Sequence, residues 1–235
     1  MISAVTADSA VTVAEQVAPH LRAPQIYIDL NSVSPATKER VAGPVRASGA
    51  DFVEFAVMAP VKEPGIEVPI LSGGEKAEEV SSRLNELGMK ITPVSTGIGT
   101  ASATKLCRSI VIKGMEALLL ECALAAGEYD AADRVYESLA QTYPGMDWRK
   151  TAEYMIGRVL EHGERRAHEM EEVAATLRAA GIDPLMAEAA ARRQDWEATA
   201  RDAGRLTGKR PQSAGEMLRL LVDPRTSRTV QDASN

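Results

Sequence analysis

The sequence has little with which to cross-link itself or bind metal: two cysteines and three histidines in 235 residues. Two thiols are too few for a disulfide framework. Cys107 and Cys122 stand fifteen residues apart in one apolar helical stretch, where they cannot meet. Both are expected to be small buried hydrophobes, in keeping with a reducing cytoplasm. His162 and His168 fall on different faces of a charged helix, and His168-Glu169-Met170-Glu171-Glu172 lacks the second histidine of a zinc-protease helix. No metal site is expected. Aromatic residues make up only 4% of the chain, so alanine and leucine carry the apolar share, which favours helix over strand. Positive charge is also short, and a net charge of −6 argues against a nucleic-acid groove. An acidic enzyme acting on anionic ligands is still allowed, because only its site need be positive. Long hydrophobic runs are missing. Met1 to Asp8 carries no basic segment leading into an apolar core, so no signal peptide is expected. The most apolar stretch, Ile110 to Ala126, is interrupted by Lys113, Glu116 and Glu121, which excludes an ordinary membrane span.

What is present is an ordinary globular composition, long enough for one large domain or two small ones. The first hundred residues alternate short apolar runs with helical patterns. Strands are expected at Ile2 to Thr6, Ile26 to Asp29, Phe52 to Val57, Val68 to Leu71 and Lys90 to Val94. Helices are expected at Val11 to Leu21, from Pro35 (capped by Ser34) to about Ser48, and from Gly73-Gly74 to about Leu87. Such alternation predicts a mostly parallel sheet covered by helices. Beyond Gly97 and Gly99 the chain reads helical: Thr100 to Ala126, Tyr129 to Thr142, Trp148 to Ala180, and Pro184 to about Leu206. The first of these is apolar on nearly all sides and should be buried, partly against another subunit. The fold class is therefore α/β plus all-α. A truncated Rossmann-like parallel sheet (residues 1–98) leads through a long buried helix into a helical C-terminal domain (99–210). A short amphipathic patch, Ala214 to Val222, lies in a flexible tail (211–235).

Gly97 to Ser109 carries the most chemistry. A strand ends there, two glycines allow close backbone approach, and a helix begins. Lys105 sits about one turn inside that otherwise apolar helix, with Ser109 one turn further along the same face and Lys113 beyond it. An ammonium there must reach water, a carboxylate or a ligand. Desolvation would lower its pKa and suit it to exchange a proton with a substrate hydroxyl. Periodicity alone leaves open both that role and a lysine that snorkels to the surface. Elsewhere, the charge run Glu161 to Glu172 reads as a solvated helix face with i,i+4 pairs. Trp148, Tyr154, Met155 and Met186 read as core or dimer packing. Arg192 and Arg193 read as surface-paired rather than as a substrate-anion site.

Four segments, in order and spacing, resemble the β-hydroxyacid dehydrogenase and 6-phosphogluconate dehydrogenase superfamily, particularly its branch of phosphogluconate dehydrogenase NAD-binding proteins. Ile2 to Thr6 resembles the strand beneath the dinucleotide. Asp29-Leu30-Asn31-Ser32-Val33-Ser34-Pro35 resembles the Asp-x-Ser-Thr-x-x-Pro turn at the nicotinamide end. Glu54-Phe55-Ala56-Val57-Met58-Ala59-Pro60 stands where the family has Asp-Ala-Pro-Val-Ser-Gly-Gly. Gly99 to Ser109 resembles the Gly-x(5)-Lys-x-x-x-Asn catalytic segment. The resemblance implies NAD(P) as cofactor, a small-molecule substrate, a homodimer, and Lys105 as general acid/base. Ser109 would stand in for the orienting asparagine. Thr6, Asn31 and Ser32 would lie at the cofactor, and Met58 and Ala59 at the substrate. For Ser32, helix capping or turn stabilisation is an equal alternative to ligand contact.

Two departures matter. Met58 and Ala59 replace the family's Ser-Gly, which disfavours a small hydroxy-acid carboxylate contact and is compatible with a larger or less polar substrate. No G-x-G-x-x-G precedes a strand, so the turn that brings a pyrophosphate to a helix N-terminus is not in the sequence. The resemblance thus implies that earlier strands of the dinucleotide fold are missing before Met1. Two readings follow: an NAD(P)-dependent oxidoreductase, or a truncated non-catalytic paralogue that dimerises through its helices without binding a dinucleotide.

Overall fold

The computed structural model describes residues 1–195, and the chain divides into two compact units, Met1–Arg108 and Ser109–Asn235. In the first unit, β1 (Ile2–Ser3), β2 (Ile26–Asp29), β3 (Asp51–Val57), β4 (Pro69–Gly73) and β5 (Lys90–Ser95) form one sheet in sequence order. β1, β2 and β3 are parallel; β4 runs antiparallel to β3, and β5 parallel to β4. Helices α1 (Ala10–Val17), α2 (Pro35–Ala47) and α3 (Ala77–Asn85) link them. Side chains alternate across each strand, so Tyr27 and Phe52 join Ala14, Val41 and Val45 of α1 and α2 in one core. Their neighbours Ile28 and Val53 join Ile70, Val80 and Ile91 in another with α3. The expected mostly parallel, helix-covered sheet is what forms.

Several boundaries differ from expectation for local reasons. β1 stops at Ser3, because the Val5 amide donates to Asn31 Oδ1 (2.7 Å) and the chain enters the 3-10 turn Ala7–Ser9. α1 ends at Val17, where Pro19 enforces a second 3-10 turn. Gly73 completes β4 rather than opening a helix, and α3 starts only at Ala77. Ser34 caps α2 as expected, its Oγ accepting the Thr37 amide at 3.1 Å.

Helix α4 (Thr100–Glu128) spans the division between the units. The second unit contains α5 (Ala132–Thr142), α6 (Trp148–Ala179) and α7 (Leu185–Gln194). Leu119, Leu120 and Ala123 of α4 pack with Tyr136 of α5 and Ile156, Val159 and Leu160 of α6. Asp147 caps α6, accepting from the Lys150 amide at 3.1 Å. α6 kinks at His162, where φ is −136° and ψ is 17°. The next residue is Gly163, and any Cβ there would collide with the Gln194 carbonyl. The glycine therefore lets the last turn of α7 lie directly on the kink. The helix expected to reach Leu206 is described only to Gln194; its remainder, the Ala214 to Val222 patch and the tail lie outside the described residues. No described helix is long and apolar enough to cross a membrane.

The charge run of α6 is not simply solvated, because two of its members face inward. Glu116 of α4, fully buried, receives Arg166 Nε at 2.8 Å and Nη2 at 2.5 Å. Arg158 Nε lies 3.2 Å from it, and Gln194 Nε2 donates to it at 3.1 Å. One turn away, buried Lys113 pairs with Glu169 at 2.7 Å, and Arg165 pairs with the same carboxylate in the expected i,i+4 manner. The expectation of two buried cysteines also changes. Cys107 is exposed and Cys122 half-buried. Tyr154 and Met186 are exposed, whereas Trp148 and Met155 pack on the core. Within the single chain, Val111 and Leu118 of α4 are exposed. Arg193 is surface-paired, with Glu121 at 2.6 Å.

Burial alone would raise the Glu169 carboxyl, but the Lys113 hydrogen bond and the charges of Lys113, Arg165 and Arg166 together hold it below its ordinary value of 4.5. Its contribution to stability is present above that value and is lost as pH falls through the lower, folded-state value. The melting temperature of Glu169→Gln should therefore lie below that of the wild type at neutral pH, and the gap should narrow on acidification below 4.5. Scanning calorimetry across that range measures the gap; one that stays constant with pH would contradict the assignment.

Candidate functional site

The strand register aligns Ser3, Asp29, Glu54, Gly73 and Ser95 in one row across the sheet. Two acidic side chains on adjacent parallel strands would repel each other, and both are fully buried. Lys38 of α2 counters them. Its Nζ donates to Asp29 Oδ2 at 2.5 Å, to the Asp29 carbonyl at 2.9 Å and to the Phe55 carbonyl at 3.3 Å. Burial pushes the Lys38 ammonium below its ordinary pKa, while the charges of Asp29 and Glu54 pull it back up. The sequence reading missed this lysine. A signal existed: Lys38 shares the α2 face of buried Val41, Ala42 and Val45, where a charge needs a partner.

Glu54 takes different partners. Its Oε1 accepts the backbone amides of Gly99 (2.7 Å) and Ala101 (3.0 Å), so the carboxylate sits at the positive end of α4. Space for it exists because Gly73 has no side chain. A Cβ there would stand 2.7 Å from Glu54 Oε1 and 2.9 Å from the Gly97 carbonyl. Gly99 has φ +102°, which a residue with a side chain rarely adopts. Ser102 Oγ closes the turn on the Gly99 carbonyl at 3.0 Å.

These two arrangements bring Lys105 and Ser32 together. The Lys105 ammonium, in the second turn of α4, donates to Ser32 Oγ, which is exposed just beyond the carboxyl end of β2. Asn31 serves a different end. It is buried, its Oδ1 holds the Val5 amide at 2.7 Å, and its amide group donates to Ser3 Oγ (3.2 Å) and to Asp29 Oδ1. Asn31 therefore braces the edge while its neighbour Ser32 faces out. Thr6 Oγ1 pairs with Ser9 Oγ at 2.9 Å on the exposed β1–α1 connection. Met58 is half-buried with its amide on the Pro69 carbonyl (2.8 Å), and Ala59 is exposed beside it. Ser109, half-buried on α4, belongs to the second unit.

Ligands of open α/β sheets bind beyond the carboxyl ends of parallel strands. That edge here carries a hydroxyl and an ammonium in contact, which fits the nicotinamide end of a dinucleotide and the oxygen of a carbonyl substrate. A pyrophosphate does not fit the turn at Gly73-Gly74. Glu75, Glu78 and Glu79 follow it at the start of α3 and would repel an anion, and Gly74 is held by the Ser95 carbonyl at 3.1 Å.

A mostly parallel α/β unit followed by a helical unit is similar to the hydroxyacid dehydrogenase fold. The comparisons agree. A conserved hypothetical protein from Sinorhizobium meliloti 1021 is 39% identical, with a TM-score of 0.81 over 94% of this chain and 73% of that one. A conserved protein of unknown function, described as structurally similar to 3-hydroxyacid dehydrogenases, is 35% identical, with a TM-score of 0.75 over 86% of this chain and 76% of that one. The fold is shared with Mycobacterium tuberculosis 3-hydroxyisobutyrate dehydrogenase at 16% identity, with a TM-score of 0.68 over 86% of this chain and 74% of that one. Residues 126–196 match the domain of unknown function DUF1932. The chain belongs to the β-hydroxyacid and 6-phosphogluconate dehydrogenase superfamily.

The buried pair predicts an asymmetric mutational response. Lys38→Met strands Asp29 without its counter-charge and should cost about 3–5 kcal/mol in urea unfolding. Adding Asp29→Asn should recover much of that loss. Equal, additive losses would show that the two residues do not act as a pair.

Proposed function

We propose that this chain is an NAD(P)-dependent oxidoreductase of the hydroxyacid dehydrogenase type, with Lys105 as general acid/base. The observation that carries the proposal is the contact between the Lys105 ammonium and Ser32 Oγ at the carboxyl edge of the sheet. NAD(P)H, when bound, supplies the hydride. Lys105 holds the proton that the substrate oxygen takes up in reduction, or receives it in oxidation. Ser32 orients the ammonium and offers a hydroxyl to the nicotinamide end, and Ser109 orients the substrate from further along α4. Thr6 and Asn31 shape the cofactor edge, Asn31 through the backbone it braces. Met58 and Ala59 line the substrate side with apolar and small surface, which favours a hydroxy acid or carbonyl compound larger than the simplest ones.

A homodimer in the cytoplasm accompanies this reading. Val111, Leu118 and Ala125 recur every seven residues on an exposed face of α4, the spacing of a helix–helix seam. The unpaired Cys107 and Cys122 suit a reducing compartment. The non-catalytic alternative draws on the acidic turn at Gly73-Gly74 and on the lack of a G-x-G-x-x-G motif in the sequence.

Calorimetric titration with NADH and NADPH, followed by oxidation of the bound nucleotide in the presence of a panel of keto acids and aldehydes with apolar side chains of increasing size, separates the two. Binding with turnover is expected, and Lys105→Ala should lower kcat by about 10²–10⁴ while keeping the fold. Full turnover in Lys105→Ala would remove that residue from the chemistry. No binding of either nucleotide would favour the non-catalytic reading. Separately, Leu118→Glu should convert a dimer to a monomer in sedimentation; a dimer that persists would place the interface elsewhere.

A further inference from the structure

Glu54 is the one fully buried carboxylate of the first unit that does not pair directly with a cation: its Oε1 holds two amides at the start of α4, and its Oε2 has no hydrogen-bond partner. Burying a carboxylate so deep is costly, and capping a helix can be done more cheaply by an exposed serine or aspartate. What an exposed cap cannot do is tie the first turn of α4 to the centre of the sheet. Glu54 is the register partner of Asp29 on β2 and of Gly73 on β4. Asp29 in turn anchors Lys38 and receives the Asn31 amide that braces the turn bearing Ser32. The two halves of the Lys105–Ser32 contact therefore hang from adjacent residues of two paired strands. One half runs from Glu54 through Gly99 and Ala101 to the lysine; the other runs from Asp29 through Asn31 to the serine.

We infer that Glu54 is a positioning residue, one that sets where the Lys105 ammonium stands relative to Ser32 by clamping the first turn of α4 to β3. Two features of the structure serve this end. Gly73 leaves room for the carboxylate, and Gly99, at φ +102° and with Pro35 Cβ only 3.3 Å from where its own Cβ would lie, lets the chain leave the sheet at that angle. The functional weight of the clamp rests on the proposed role of Lys105, but its geometry does not, and the test is chosen accordingly.

The test reads the side-chain resonance of Lys105 in protein labelled with 13C-lysine, assigned through Lys105→Arg, with Lys90 as an internal control. Ser32→Ala defines the position of that resonance when the contact is lost. Glu54→Gln keeps size but removes the charge, and Gly73→Ala keeps the carboxylate but displaces it. Both variants should move the Lys105 resonance towards its Ser32→Ala position and leave Lys90 in place. A Lys105 resonance that stays put while the Gly99 and Ala101 amide signals report loss of the clamp would overturn the inference, leaving Glu54 a helix cap only. Turnover retained by Lys105→Ala would instead sink the catalytic role of Lys105 and leave the positioning result standing.

Discussion

The first unit depends on how two buried carboxylates on neighbouring strands are kept from repelling each other. Asp29 and Glu54 lie side by side in register, out of water. The structure resolves this by giving them different partners. Asp29 takes the ammonium of Lys38 from α2, and Glu54 takes the amide dipoles of α4. Each solution fixes a helix against the sheet: α2 through Lys38, and the first turn of α4 through its amides. A pair of apolar residues at these positions would pack at lower desolvation cost, but it would specify neither the approach of α2 nor the starting point of α4.

From that constraint the edge chemistry follows. Asn31 can give its whole side chain to bracing because Asp29, fixed by Lys38, accepts one of its protons. Ser32 is thereby turned outward on a stiff support, and Lys105 meets it from a helix whose first turn is equally stiff. Preorganisation of this kind, in which the groups that touch a ligand are held by others that do not, is what proton transfer requires. The second unit also ties its helices together through a buried carboxylate. Glu116 is enclosed by Arg166, Arg158 and Gln194, which lock α4, α6 and α7 together at the kink that Gly163 permits.

Much of the architecture was legible because its signals are local. Ser34 and Pro35 announced the start of α2, the β-branched and aromatic run Ile26 to Ile28 announced β2, and Gly97 to Lys105 announced the turn and the helix that carries the lysine. What was not legible depends on residues far apart in sequence. The partners Glu54 and Gly99 are 45 residues apart, and Glu116 and Arg166 are 50 apart. The i,i+4 pairing of Arg165 with Glu169 made the α6 charge run look fully accounted for on its surface, and so concealed that Arg166 points inward. Asn31 showed the opposite limit. Its place in the turn marked it for the cofactor edge, but only the fold reveals that its side chain is spent on Val5, Ser3 and Asp29.

The central claim is that the carboxyl edge bearing Ser32 and Lys105 receives a nicotinamide. Reduced nicotinamide mononucleotide tests it most directly, since it carries the reactive end of the cofactor with no second nucleotide or pyrophosphate to anchor elsewhere. In a titration followed by amide and lysine side-chain resonances, the account predicts saturable shifts centred on the Ser32 amide and the Lys105 side chain. Saturable shifts that cluster elsewhere, or none at these two residues up to the solubility of the probe, would contradict it.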